Sequence, residues 1–502
     1  MHQKRNSSRF FLLTLLAIGV VCLRWRIGQC AFTVPRQQFS AVYQQSFRHA
    51  TSQKAQPSKV QTTWLGAATP SLRQPISGPF TVALRAQSNE DSSIDVVSAV
   101  SFLVVAAFVA IGVATIGASA YVVVSASLQD KTWTDIGVIA LGTVGVFLFF
   151  RLAAALCVVD QPQLPPLLGN LSAVGSCEVS LPATGGRGRC FYPADRPEQS
   201  CAEAPYLTDG LETSEGMASL VGFKQTGLGF LLEHLASAPS GCWANAVPAA
   251  SCQGTLPLLV YSHGFGGNMD MSSYFFRQLA SHGVVVLALE HTDGTASRTL
   301  QDGVPLSFNP FLMSPSEQQS RRAVEFLSAV SALPPDVAAL LRPDAVFFGG
   351  HSYGGPSAIL ASLVAERRGS LSVRGVLLHD PAVALVGVTE LPRAPVLTFV
   401  SEEYDANGVR AGATYACRGA MHGNFVDAPL WAPIWVMRLV SLLIPAAGSA
   451  EPVGLHLALA RAAAGFMSRE EGSSGFILKD DDPVFQRRWD GEFELAGGRS
   501  LS

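Results

Sequence analysis

Five short apolar runs that alternate with helical patterns constrain the fold of this chain more than any other feature. Each run is continuous and is bounded by turn residues, which is typical of a strand buried on both faces of a parallel sheet. The predicted strands are Leu256–Ser262, Val284–Leu289, Ala345–Gly349, Gly375–His379 and Val396–Val400. The helical patterns cover Tyr274–Ser281, Ser316–Leu333 and Pro356–Arg367. This alternation predicts an α/β fold whose crossover helices cover both faces of the sheet.

The segment after the third predicted strand has the pattern Gly350-x-Ser352-x-Gly354. The pattern is common by itself, but here it lies directly between a strand and a helix. A nucleophile elbow requires this context, because glycines let the chain turn sharply while the serine projects from the sheet. We therefore expect an α/β-hydrolase fold with a mostly parallel central sheet and Ser352 as its nucleophile. The alternative is a glycine-rich turn with an inert serine.

A second glycine-rich loop, His263–Gly267, follows the first predicted strand. In α/β-hydrolases this loop supplies one backbone N–H of the oxyanion hole, and the residue after the nucleophile supplies the other. The predicted donors are the backbone amides of Phe265 and Tyr353. The alternative is a plain strand-to-helix turn.

A serine nucleophile requires a histidine as general base, and in this fold the histidine comes last along the chain. Three histidines follow the candidate nucleophile. His379 is adjacent to Asp380, so neither side chain can readily orient the other, and His456 lies in an apolar helical stretch. His422 lies in a loop after the last predicted strand and is therefore the predicted base.

Spacing alone leaves the orienting acid open between two places. Asp380 ends the fourth predicted strand. Glu402, Glu403 and Asp405 follow the fifth, which is the more frequent place for the acid of this fold.

Several stretches resemble the platelet-activating factor acetylhydrolase family of serine esterases, over about residues 185–470. The matching stretches are Tyr261–Gly266, Leu279–Gly283, Leu289–Asp293, Gly350–Gly355 and His422–Phe425. In that family the acid follows the strand after the elbow helix, so the resemblance implies Asp380, with Asp405 as the alternative. The sequence departs from the family at Tyr353, where phenylalanine is usual, but only the backbone amide is needed there.

The resemblance implies a calcium-independent 1-alkyl-2-acetylglycerophosphocholine esterase, which hydrolyses short or oxidised acyl chains at the sn-2 position of phospholipids. No cofactor or metal is expected, because the sequence has no Cys/His cluster with zinc spacing and no acidic calcium loop. Glu290, His291 and Asp293 are expected to connect loops beside the site rather than to catalyse.

The first 89 residues hold eleven Lys and Arg and no Asp or Glu. Residues 1–30 combine a basic start with an apolar run, Phe10–Leu23, which is typical of a signal peptide. Residues 31–90 are rich in Gln, Ser, Thr and Arg, which is typical of a transit peptide. The two together predict delivery to an endomembrane or a complex plastid. The alternative is a signal peptide followed by a disordered linker.

Two apolar segments within residues 95–160 predict transmembrane helices. Val96–Leu128 holds 33 uncharged residues, and about 20 suffice to cross a bilayer. Ile136–Val159 is interrupted only by Arg151, which is expected to extend towards the membrane surface. For this second segment the alternative is a buried helix. Trp431 and Trp435 fit either a core helix or a surface that contacts lipid.

After residue 89 the chain carries 24 basic and 38 acidic residues, and this acidity argues against a nucleic-acid-binding protein. The predicted organisation is a catalytic domain over 170–470 and a polar tail over 471–502. Expected partners are the phospholipid substrate and a membrane. Two other functions stay open: a chlorophyllase-type or other lipid or carboxyl ester hydrolase, and an inactive membrane scaffold with a hydrolase fold.

Overall fold

The computed structural model describes residues 164–489, apart from 197–200, 225–228, 384–387, 389, 408, 433, 435–436, 439–440, 442–445, 470–477 and 479–481. The predicted leader over 1–90 and the predicted membrane segments within 95–160 lie outside the described residues. No helix within the described ranges combines the length and the apolarity that crossing a membrane requires.

The strands of the described residues lie mostly where continuous apolar runs or β-branched residues occur. They are β1 (Val174–Leu181), β2 (Gly186–Pro193), β3 (Glu203–Pro205), β4 (Pro239–Ala244), β5 (Leu256–Ser262), β6 (Val285–Glu290), β7 (Arg298–Gln301), β8 (Val304–Ser307), β9 (Leu341–His351), β10 (Val373–His379), β11 (Val396–Val400), β12 (Ala413–Cys417) and β13 (Phe485–Trp489).

The α-helices of the same residues alternate with these strands. They are α1 (Leu211–Leu220), α2 (Phe230–Glu233), α3 (Ser273–Ser281), α4 (Pro315–Ala332), α5 (Pro335–Ala338), α6 (Gly354–Arg368), α7 (Glu402–Ala406) and α8 (Pro452–Ser468). The start of α4 carries a capping box, because the Ser314 side chain accepts from the Glu317 amide and Glu317 bonds back to the Ser314 amide.

Within the described residues, eleven strands form one sheet in the order β13-β12-β11-β10-β9-β5-β6-β2-β1-β4-β3. The central six, from β12 to β6, are parallel to one another, and antiparallel strands flank them on both sides. The predicted α/β-hydrolase-like fold with a mostly parallel sheet is therefore confirmed.

Alternate residues of the central strands enter two separate apolar cores, one on each face of the sheet. Val260 of β5 packs into the core that Phe326 of α4 and Ile359 of α6 complete. Leu259, its neighbour, packs into the opposite core with Leu459 of α8. Burial on both faces explains why these strands are apolar throughout.

The register of the parallel strands aligns their carboxyl ends at one edge of the sheet. Ser262 lies opposite Gly350, and His351 lies opposite His379. His379 in turn lies opposite Phe399 of β11. Residues that follow these strands therefore meet at a single edge, where ligands bind in open α/β sheets.

The carboxyl-terminal region differs from the sequence prediction of a polar tail over 471–502. Residues 485–489 form β13, which pairs antiparallel with β12 at the edge of the sheet. Phe485 is 2% exposed and its ring centroid lies 5.0 Å from that of Phe399. One apolar side chain in a polar run therefore anchors this strand.

The described cysteines are free thiols, although Cys177 of β1 lies opposite Cys190 of β2 in the antiparallel register.

Replacing the buried ring of β13 tests this edge strand. We expect Phe485→Ala to lower the free energy of unfolding by about 3 kcal/mol, because the substitution removes a buried aromatic ring and leaves a cavity. Urea denaturation of the full chain measures the change. Gln486→Ala, at the exposed neighbouring position, serves as the control and should stay within about 0.5 kcal/mol. Equal stability of both variants and the wild type would contradict a packed strand here.

Candidate active site

Ser352 occupies a strained turn between β9 and α6. Its φ is +54°, in the left-handed region that side-chain-bearing residues rarely adopt. Its amide donates to the His379 carbonyl (2.9 Å), and its carbonyl accepts from the amides of Gly355 (3.0 Å) and Ala382 (2.9 Å). Three backbone hydrogen bonds therefore hold the strained residue at the carboxyl edge of the sheet.

The glycines on either side of the serine are required by close backbone contacts. A Cβ atom at Gly350 would lie 2.2 Å from the Gly354 carbonyl oxygen. A Cβ atom at Gly354 would lie 2.2 Å from the Ser262 carbonyl oxygen. The Gly-x-Ser-x-Gly pattern is thus the sequence signature of a turn whose close backbone contacts leave no room for a side chain at either glycine position.

Asp380 and His422 form a hydrogen-bonded pair beside this turn. Nδ1 of His422 lies 3.0 Å from Oδ2 of Asp380, whose side chain is fully buried. The other carboxylate oxygen accepts from the Ser401 amide at 2.6 Å. Because a carboxylate only accepts, Nδ1 must carry the proton, which leaves Nε2 of a neutral His422 with a free lone pair. Asp380 also has a positive φ, +44°, so Asp380 and Ser352 both hold a strained left-handed backbone.

The alternative acids after β11 point to other partners. Asp405 is bound by Arg488, with its Oδ2 2.8 Å from Nε. Glu402 accepts from the Gly419 amide at 2.8 Å. Glu403 accepts from the backbone amide of His422 at 3.4 Å, not from its ring.

The other two histidines after the serine lie in the core. Nδ1 of His379 lies 2.8 Å from the Tyr261 hydroxyl, and burial lowers the pKa of His379 to about 3. His456 is buried in α8, with Nδ1 2.9 Å from the Pro452 carbonyl oxygen one turn earlier. Neither ring lies in the loop beside Ser352.

The loop that carries His422 is held by the two residues that follow Gly423. Asn424 is fully buried, and its Oδ1 accepts from the amides of Met421 (2.9 Å) and Gly448 (2.8 Å). The ring of Phe425 stacks on His379, with centroids 5.4 Å apart. In the His-x-Asn-Phe pattern, the histidine is therefore the candidate reactive residue. The asparagine holds its loop by hydrogen bonds and the phenylalanine by ring stacking.

Two rings enclose the His422 imidazole. Tyr404 stacks on it with centroids 5.0 Å apart and an interplanar angle of 7°, and His351 lies at 4.5 Å. Burial raises the pKa of Tyr404 above its usual value. Tyr404 therefore packs as a neutral ring against the imidazole of the candidate site.

The His263–Gly267 loop passes close to Ser352, since a Cβ atom at Gly264 would lie 2.9 Å from Cβ of Ser352. The Gly264 carbonyl accepts from the Gly267 amide (3.1 Å) and from Nδ1 of His263 (2.7 Å). The Phe265 N–H belongs to the same trans peptide as the Gly264 carbonyl, so it points away from the two groups that donate to that carbonyl.

Across the described residues, no protein group accepts a hydrogen bond from the amides of Phe265 and Tyr353. A serine hydroxyl on a tight turn, a carboxylate-oriented imidazole and two N–H groups without a described acceptor are the components of nucleophilic acyl transfer. In the part of the chain that the structure describes, no group of three or more His, Cys, Asp or Glu side chains could hold a metal ion.

The charged residues that end β6 face inwards rather than towards this site. Glu290 accepts from Arg187 at 2.7 Å, and burial raises the pKa of Glu290 to about 7. His291 lies between Ser262 and Glu325, at 2.6 Å and 2.5 Å. All of these contacts connect elements of the fold.

The first of the two candidate lipid-contacting tryptophans is partly buried. Nε1 of Trp431 donates to the Tyr206 hydroxyl at 2.8 Å, and its carbonyl lies 2.6 Å from Nε2 of His234. Trp435 lies outside the described residues. A tryptophan in the core requires a partner for its indole N–H, and the Tyr206 hydroxyl is that partner for Trp431.

Residues 157–306 match the family model of platelet-activating factor acetylhydrolase, isoform II. A platelet-activating factor acetylhydrolase of Bos taurus is 29% identical over 218 residues, which cover 34% of this chain and 48% of that protein. One of Canis lupus familiaris is 51% identical over 43 residues, 9% of this chain and 10% of that protein. The chain spans about half the length, or less, of these curated relatives. The resemblance to this family is confirmed, although the matched range ends before Ser352.

Among solved structures, a ferulic acid esterase from Streptomyces cinnamoneus superposes with a TM-score of 0.46 at 18% identity, covering 61% of this chain and 91% of that one. An esterase from Pyrobaculum calidifontis has a TM-score of 0.31 at 14% identity, covering 63% and 90%.

Sequence reasoning missed three residues that shape the site. Tyr404 carries no signal of its own, because its role depends on contacts between separate loops. Asn424 lies in the family-like stretch His422–Phe425, but that pattern assigns it no role. Arg322 does carry a signal. It shares the core-facing side of α4 with Phe326 and Ala329, at helical spacing, and a charged residue in such a stripe indicates a buried polar function.

Removing the amide anchor of the His422 loop tests its contribution to the fold. We expect Asn424→Ala to lower the free energy of unfolding by about 2 kcal/mol, because two amides lose their buried acceptor. Chemical denaturation measures the change. Asn407→Ala makes the same substitution at an exposed position and should change the stability by less than about 0.5 kcal/mol. An unchanged midpoint for Asn424→Ala would show that the loop does not depend on this side chain.

Proposed function

We propose that this chain, whose residues 157–306 match the platelet-activating factor acetylhydrolases, is a serine carboxylic-ester hydrolase. Its proposed substrates are phospholipids with a short or oxidised sn-2 acyl chain, and its proposed action is calcium-independent. The observation that carries the proposal is the 3.0 Å contact between Asp380 and His422 beside the strained Ser352 turn.

In the proposed reaction Oγ of Ser352 attacks the ester carbonyl carbon while Nε2 of His422 takes the hydroxyl proton. Asp380 holds the imidazole in the required tautomer and stabilises its protonated form. Collapse of the tetrahedral intermediate breaks the acyl C–O bond, and His422 returns the proton to the leaving lysophospholipid alcohol. Water then attacks the acyl-enzyme with His422 as base, which releases the carboxylic acid and restores the serine.

The amides of Phe265 and Tyr353 are the proposed oxyanion donors. Both belong to loops fixed by hydrogen bonds, so they need little reorganisation when charge develops. Loss of one such donor in a serine hydrolase costs about 3 kcal/mol of transition-state stabilisation.

The names of the curated relatives support a phospholipid substrate, and so do apolar side chains near the site. Phe265 is 52% exposed, and its ring lies 5.3 Å from that of Phe308. The loop after Phe308 presents Phe311, which is 92% exposed. Such surfaces suit a substrate that enters from a lipid phase.

Membrane anchoring by the apolar segments 96–128 and 136–159 is part of the proposal, as is delivery to an endomembrane or a complex plastid by residues 1–90. Interfacial contact by Trp431 and Trp435 is also proposed.

Lipid hydrolysis by the full chain, combined with labelling by a fluorophosphonate probe, tests the function. We expect labelling that Ser352→Ala abolishes, and release of acetate from a 2-acetyl phospholipid in the presence of a calcium chelator. Hydrolysis of a chlorophyll ester but not of the phospholipid would replace the proposed substrate with the pigment ester. Folded protein that is neither labelled nor active would support the scaffold alternative.

The two acid candidates can be separated by the same substitution at each position. We expect Asp380→Asn to lower kcat by about 10³- to 10⁴-fold, because the amide favours the wrong tautomer of His422. Asp405→Asn, which loses only its contact with Arg488, should leave kcat within about two-fold of the wild type. Steady-state hydrolysis of p-nitrophenyl acetate measures both. The opposite ranking of the two variants would transfer the role of the acid to Asp405.

A further inference from the structure

Arg322 is a fully buried arginine in α4, directly beneath the two loops that carry the candidate oxyanion donors. Its Nε donates to Oδ2 of Asp293 at 2.7 Å, and both side chains are 0% exposed. Burying an ion pair is costly unless the remaining donors are also satisfied. The other contacts of the guanidinium group therefore indicate what this pair is used for.

The two Nη atoms of Arg322 hold the His263–Gly267 loop at two points. Nη1 donates to the His263 carbonyl at 2.9 Å, so it fixes the peptide directly before the one that carries the Phe265 N–H. Nη2 donates to Oγ1 of Thr295 at 2.5 Å, and the Thr295 carbonyl accepts from the Gly266 amide at 2.8 Å. The loop is thus fastened on both sides of Phe265.

The same guanidinium group also contacts the residue that carries the second donor. Cζ of Arg322 lies 5.0 Å from the centroid of the Tyr353 ring, in a cation–π arrangement. The Tyr353 hydroxyl donates to Gln318, one turn earlier in α4, at 2.8 Å. Helix α4 therefore holds the Tyr353 side chain at two places.

We propose that Arg322 is the positioning residue of the oxyanion hole, which sets the Phe265 and Tyr353 amides relative to each other. This inference rests on the proposed function, since it concerns the same reaction. A guanidinium group suits the task because its planar fork reaches several acceptors while its face contacts an aromatic ring. A lysine supplies the charge for Asp293 but only a single compact donor centre.

Arg321 provides a matched control on the same helix. Its Nε donates to Oγ1 of Thr292 at 2.7 Å and its Nη2 to the Thr184 carbonyl at 2.8 Å. These bonds connect elements of the fold without contacting either donor loop. Loss of this arginine therefore reports the structural cost of removing a hydrogen-bonded guanidinium group from α4.

The test compares Arg322→Lys, Arg322→Met and Arg321→Met in the full chain, with p-nitrophenyl acetate as substrate and fluorophosphonate titration of the active sites. We expect kcat per titrated site to fall about 100-fold in Arg322→Met, the low end of the range for loss of one oxyanion donor, and about 10-fold in Arg322→Lys, which keeps the charge. KM should change little, and Arg321→Met should keep kcat within about two-fold.

A second readout isolates the oxyanion itself. An alkyl trifluoromethyl ketone adds to the serine hydroxyl and forms an anionic hemiketal, so its affinity depends on the two amides. We expect this affinity to fall in parallel with kcat/KM across the Arg322 variants, because both measure stabilisation of the same charge. The low-pH limb of the activity profile, which reports the general base, should not move.

Each outcome decides the proposal. Unchanged kcat in folded Arg322→Met, or lost kcat with unchanged ketone affinity, would overturn it while leaving the ester hydrolase intact. If Arg322→Met does not fold by circular dichroism, Arg322→Lys decides by the same two readouts. A wild-type chain that is neither labelled nor active would instead refute the proposed function, and this inference with it.

Discussion

The candidate site depends on two strained residues, Ser352 and Asp380, which both hold a left-handed backbone at the carboxyl ends of neighbouring parallel strands. Each such residue costs about 1–3 kcal/mol and persists only where its surroundings determine it. The sheet provides that determination, since the Ser352 amide bonds to the strand next to it and the Asp380 amide bonds to Phe399 of the strand after that. The turn that exposes the serine and the turn that orients the acid are therefore both held by backbone hydrogen bonds to the next parallel strand of the same sheet.

A second layer of polar contacts lies beneath the first. Arg322, Asp293 and Glu325 are all fully buried, at a position where an unpaired charge would be strongly destabilising. One of their partners is the His263 carbonyl, in the loop that approaches Ser352, so these buried charges lie where small displacements of that loop matter most. An apolar core of the same volume could support the sheet, but it could not direct a peptide N–H group.

The parts of the fold that could be predicted from the sequence are those set by local pattern. Two predicted strands, Leu256–Ser262 and Val396–Val400, coincide with β5 and β11, because burial on both faces leaves an unbroken apolar run. The flanking strand β1 was not predicted, since its centre is polar and partly exposed: Ser176 is buried, but Cys177 is half-buried and Glu178 is exposed. The strand at 485–489 was missed because only Phe485 in that run is apolar and buried.

The same distinction applies to the site. Ser352 lies in a glycine pattern that a tight turn requires, so local sequence identifies it as a candidate. The contact between Asp380 and His422 depends on how two loops return to the sheet, and spacing could not separate Asp380 from Asp405. No sequence pattern indicates that Arg488, which binds Asp405 in the structure, lies beside it.

A buried set of residues shows why contact distances alone do not make an active site. Ser262, His291 and Glu325 are joined in series at 2.6 Å and 2.5 Å, the order of a hydroxyl, an imidazole and a carboxylate. All three are 0–1% exposed, so no ester can reach the hydroxyl. Burial and the adjacent Arg322 lower the pKa of His291 well below its usual value, which makes the imidazole a poor proton acceptor. Ser352 differs in lying on a turn at the edge of the sheet, beside a partly exposed imidazole and two amides that find no acceptor among the described residues. Access and charge stabilisation, rather than the three side chains, therefore distinguish the candidate nucleophile from its buried counterpart.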